Sequence, residues 1–122
     1  MESIYTYTTP SFTLKFKTQG VLEGYDKVVV TLYQEGVAIV IKNTEDLSID
    51  EEQNTIDVSF TQEDTGKLVG GYKDDPYYAL IQANVLFENE SRNASGTAEI
   101  EVYKNTYREV MNNDWNRNGL IP

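Results

Sequence analysis

Asp46, Ser48 and Asp50 stand at the first, third and fifth positions of a potential calcium loop, with Glu52 seventh and Asp57 twelfth. Oxygens at that spacing are the ligand set of a hard cation, but the sharp turn at the sixth position calls for glycine and Glu51 stands there. Leu47 and Ile49 alternate with the polar residues, so the segment reads as a short strand with an acidic outer face. Asp74 or Asp75 with Glu99 or Glu101 would supply the two carboxylates of a glycoside hydrolase, which must lie roughly 5–9 Å apart. Their spacing gives no reason for any two to converge, and charged outer faces of strands are ordinary surface.

The rest of the composition narrows the chemistry further. There is no cysteine and no histidine, which removes thiolate nucleophiles, Ser-His-Asp triads, thiolate or imidazole zinc sites and imidazole proton shuttles. The expectation is a protein that is not an enzyme and has no cofactor. Twenty acidic against ten basic side chains give a net charge of -10. Counterion-release binding to nucleic acid and attraction to anionic membranes both need clustered Lys and Arg, so neither is an expected partner. No apolar run approaches the roughly 18 residues of a membrane span, and MESIYTYTTP has neither the basic nor the apolar part of a signal peptide. A soluble protein made in a cytoplasm is expected.

The elements that must position any site are short strands. Ile56, Val58 and Phe60 alternate with Asp57 and Ser59, Phe12, Leu14 and Phe16 with Thr13 and Lys15, and Ala98, Ile100 and Val102 with Glu99 and Glu101. This is the period of half-buried strands. Lys27–Tyr33, Val37–Ile41 and Tyr77–Phe87 are more uniformly apolar and read as central strands covered on both faces or facing a partner. A buried helix is the alternative for the last, but Asp75-Pro76 before it and a polar turn after it favour a strand. Turn signals fall at Gly20–Gly24, Gln34–Gly36, Glu51–Asn54 and Glu88–Gly96, the last holding two incidental glycosylation sequons at Asn89 and Asn93. Pro10 should make the first strand bend or change sheets. Thr61 to Gly66 predicts one capped helical turn, with Thr61 as N-cap and Asp64 at the third position. The sum is one domain, an antiparallel immunoglobulin-like β-sandwich of about seven strands over residues 1–104, with a small closed barrel as the alternative. Residues 105–122 read as a tail, a short helix near Thr106–Met111 and then an irregular stretch.

Charge and aromatic residues give the candidate contact sites. Glu45–Asp64 holds eight acids and no base, whereas the first 44 residues are neutral and residues 103–122 sum to +1. Glu51, Glu52, Glu63 and Asp64 are the candidates for a salt-sensitive contact with a basic partner, and simple solubility of a turn is the alternative. An acidic mimic of DNA that inhibits a nucleic-acid enzyme is the extreme form of that contact. Nine tyrosines suit strands and rims, but they and Trp115 also suit interfaces or sugar stacking, as in a carbohydrate-binding module. Trp115 and Tyr107, in the tail, complete the candidate set.

One resemblance covers roughly residues 1–104. Asp46–Asp50 (DLSID), Ile56–Thr65 (IDVSFTQEDT), Gln82–Asn84 and Ser95–Val102 follow in an order that resembles small β-sandwich proteins of tailed phages and prophages of Gram-positive bacteria. These include the amino-terminal domain of upper baseplate proteins. The resemblance implies a virion structural subunit of the neck, tail, baseplate or head surface, contacting other virion proteins and copies of itself. It transfers no catalytic residue, and with no long receptor-facing domain following, it implies a free-standing subunit.

Overall fold

The computed structural model describes residues 2–106. Within them the strands are β1 (Glu2–Tyr5), β2 (Ser11–Lys15), β3 (Lys27–Gln34), β4 (Val37–Lys42), β5 (Leu47–Asp50), β6 (Thr55–Ser59), β7 (Tyr77–Leu86), β8 (Arg92–Ala94) and β9 (Ala98–Tyr103). One helical turn, α1 (Gln62–Gly66), joins β6 to β7. The larger sheet runs β1-β9-β7-β3-β4 with β8 pairing β7, and the smaller runs β2-β6-β5. Lettered as in immunoglobulin domains, β2, β6 and β5 take the places of B, E and D, and β9, β7, β3 and β4 those of G, F, C and C′. The chain is an all-β, immunoglobulin-like sandwich.

The alternating segments fold as the period demands. Ile56, Val58 and Phe60 are buried, while Asp57 and Ser59 are exposed. Ile100 and Val102 from β9, Ala79, Ile81, Ala83 and Val85 from β7, and Val28, Val30 and Leu32 from β3 close the same core from the other sheet. Tyr77–Leu86 is a strand, central between β9 and β3. The stretch around Pro10 carries the chain from the larger sheet to the smaller, which leaves β1 beside β9 and parallel to it, the one parallel strand pair among the described residues.

Two expectations need correction. Of the two readings of Val37–Ile41, coverage on both faces is the one that does not hold: among the described residues β4 pairs with β3 alone, and Val37 and Ile41 stay more than half exposed. An apolar run says nothing about how many neighbours the strand acquires, and here β4 acquires one. Glu88–Gly96 is not wholly turn, because Arg92–Ala94 returns along β7 as β8.

Polar side chains fasten the crossings. Thr65 Oγ1 donates to the Thr8 carbonyl at 2.8 Å and accepts from its N–H at 3.0 Å, tying α1 to the crossing around Pro10. Gln34 does the same for the loop after α1, bonding both backbone groups of Val69 at 2.7 and 2.8 Å.

Candidate functional site

The four acidic candidates do not form one patch. Glu51 and Glu52 lie exposed in the β5–β6 turn, whereas Glu63 and Asp64 lie on α1 beyond the other end of β6. Five residues of extended chain separate the two ends, a span of about 17 Å. Glu51 and Glu52 share a shallow depression with Glu23, and Glu51 accepts from the Gly24 N–H at 3.3 Å. Among the described residues no acidic cluster is arranged to hold a metal ion, and the one acid of β5, Asp50, lies exposed.

Asp64 is engaged within its own fold. It accepts the Thr61 N–H at 2.9 Å, while Thr61 Oγ1 accepts the Asp64 N–H at 3.1 Å, a reciprocal capping box. Lys42 Nζ stands 2.6 Å from Asp64 Oδ2, and both side chains are mostly covered. Burial pushes the carboxyl up, but the Lys42 ammonium and the Thr61 hydrogen bonds outweigh it and hold the pKa below the ordinary aspartate value. A lowered folded-state pKa stabilises above the unfolded value, near 4, and that stabilisation is lost as pH falls through the folded value. Asp64→Asn is therefore expected to cost about 1–2 kcal/mol at pH 7 and progressively less below about pH 4. Urea melts at both pH values would show it, and an equal cost at the two would remove the ion pair from the account.

The outer face of the larger sheet gathers aromatic side chains that the sequence scatters. Tyr5 stacks on Tyr103 with ring centroids 5.4 Å apart. Tyr78 lies opposite Glu101, and Leu80 stands between Glu99 on one side and Tyr33 on the other. Desolvation, and then the hydrogen bond to Glu101, hold the Tyr103 phenol above its usual range. Tyr5, Tyr78 and Leu80 are all more than a third exposed, and Tyr33, Tyr78, Leu80 and Glu99 line an open depression on this face.

A groove of about 820 Å³ opens between β2 with its following loop and the β8–β9 connection. Thr13, Lys15, Lys17, Asn93 and Thr97 are among its exposed walls, Ile81 is among its lining, and no carboxylate of the described residues lines it. Sequence reasoning missed it, because its two walls lie some eighty positions apart and neither carries a motif. Trp115 and Tyr107 lie outside the described residues.

No protein-family model matches the sequence, and no curated protein sequence does. Among solved structures, the V domain of amphioxus IgVJ-C2 aligns over 81% of this chain and 96% of that domain, with 8% identity and a TM-score of 0.34.

Proposed function

We propose that this chain is a non-enzymatic structural protein of a tailed-phage virion, in the neck, tail, baseplate or head surface, working through contacts with other virion proteins and copies of itself. The observation that supports contact as its work is the tyrosine-bearing outer face of the larger sheet, where Tyr5, Tyr78 and Leu80 stand exposed beside Tyr103. Aromatic side chains lose little conformational freedom on docking and supply much of the energy of protein interfaces. The virion setting rests on the resemblance of the Asp46–Thr65 and Gln82–Val102 segments to phage sandwich proteins. On a symmetric particle, weak contacts of one small domain are multiplied by repetition. A DNA-mimic reading is less favoured, because mimicry needs charge spread over a duplex-length surface, and Glu51–Glu52 and Glu63–Asp64 lie at opposite ends of the five-residue strand β6 with Asp57 the one acid on it.

Mass spectrometry of purified virions from the source strain is expected to find the protein at stoichiometric level. Its absence from intact particles that contain their other structural proteins would end the virion reading.

A further inference from the structure

Among the described residues the smaller sheet ends at β2. Immunoglobulin constant-type sandwiches place strand A beside B, in a sheet ordered A-B-E-D. Here β1 pairs with β9 in the opposite sheet, and β2 has β6 as its one strand partner among the described residues. The second edge of β2 faces the groove. Core-side residues of β2 are incompletely covered: Leu14, which lines the groove, and Phe12, two residues before it, are only half-buried, unlike Ile56 and Val58 opposite them on β6. Ala98, which lies opposite the buried Ile81, is exposed at the groove's other wall. An open strand edge above under-covered apolar side chains has the form of a site that takes a strand from elsewhere.

Charge says what kind of strand. In a chain of net charge -10, the groove is lined by Lys15 and Lys17 and, among the described residues, by no carboxylate. Thr13 and Lys15 lie on the outward face of β2, so an added strand would place its outward residues beside them and its inward residues over Phe12 and Leu14. Opposite charges directly across a strand pair stabilise it, and like charges destabilise it.

We infer that the groove beside β2 accepts an extended segment of a partner protein, with apolar residues alternating with acidic ones, which completes the smaller sheet by strand addition. The inference rests on the groove's geometry and charge and not on membership of a virion, so the two stand or fall separately. The apolar residues of the segment cover Phe12, Leu14 and Ala98, and its carboxylates meet Lys15 and Lys17.

The test uses the full chain, isotope-labelled, titrated with the blocked peptide Thr-Val-Glu-Val-Glu-Val-Thr and followed by backbone amide NMR. Shifts are expected at Thr13–Lys17 and at residues 95–98, with a dissociation constant on the order of 0.1–1 mM, as suits one short added strand. Reversing the two exposed lysines, Lys15→Glu with Lys17→Glu, should weaken binding about tenfold while leaving the amide spectrum of the rest of the domain in place. A peptide with lysine in place of glutamate should bind correspondingly less well to the parent protein. The inference is overturned by an absence of shifts up to about 5 mM peptide, by shifts at β4 or β5 instead, or by equal binding of the two peptides. Protection of the same amides by protein concentration alone, with a dimer in sedimentation, would assign the groove to a second copy and overturn it equally.

Discussion

Replacing Asn54 with alanine is expected to cost about 3 kcal/mol of folding stability, a large effect for a residue in a polar turn. Asn54 is completely buried at the β5–β6 turn, and its amide nitrogen donates to two carbonyls, Phe16 at 2.9 Å and Thr18 at 2.7 Å. Its own carbonyl accepts the Phe16 N–H at 3.1 Å, so the turn and the end of β2 are joined by three hydrogen bonds. Alanine leaves two carbonyls short of a donor, each worth roughly 1 kcal/mol or more when buried. It must also adopt the φ of +62° that Asn54 holds, a left-handed conformation costing a non-glycine residue roughly 1 kcal/mol. Asn54→Gly separates the two effects, because glycine relieves the backbone term and keeps the loss of hydrogen bonds. Urea denaturation should place Asn54→Gly about 1 kcal/mol above Asn54→Ala. Equal stabilities would mean that the backbone conformation contributes nothing. The same residue fixes the Phe16–Thr18 backbone, one wall of the groove beside β2, so the turn and the groove are one structural unit.

Asn54 also marks the limit of what could be read in the residues. The Glu51–Asn54 turn follows from composition, since Asn and acidic residues favour turns. That its last residue would be buried and would hold β2 depends on a segment thirty-eight positions away. Local alternation was legible: Ile56, Val58 and Phe60 signalled their face by period alone. The change of sheet near Pro10 and the Thr61–Asp64 cap were legible too, because proline and capping residues act on their own backbone neighbours. The exposure of β4 was not, since its pattern of apolar residues would be the same with one neighbouring strand or two. Charge was legible as a sum and misleading as a map. Eight acids in twenty residues suggest one patch, yet β6 carries half the turn-borne candidates to one end of the sandwich and half to the other. The lysines that give the groove its sign come from a segment of zero net charge, where nothing drew attention to them.

Phe60→Ala is expected to be more damaging still, about 3–5 kcal/mol. The ring is 2% exposed, meets the Phe12 ring edge-on with centroids 6.2 Å apart, and carries the Lys42 ammonium 5.8 Å from its centre. Removing it opens a cavity under the smaller sheet and deletes a cation–π contact worth roughly 0.5–1 kcal/mol. The same ammonium pairs with Asp64, so the ring helps to shield the ion pair that holds α1 to β4. Once the ring is gone, water reaches the pair and its attraction weakens. The two losses should therefore fail to add. In a double-mutant cycle, Asp64→Asn should cost less in the Phe60→Ala background than in the parent, by about 0.5–1 kcal/mol. Phe60→Leu, which keeps most of the volume and loses the π face, should show intermediate coupling. Full additivity of Phe60→Ala and Asp64→Asn would separate the core from the capped turn, leaving Lys42 to hold Asp64 with no help from the ring above it.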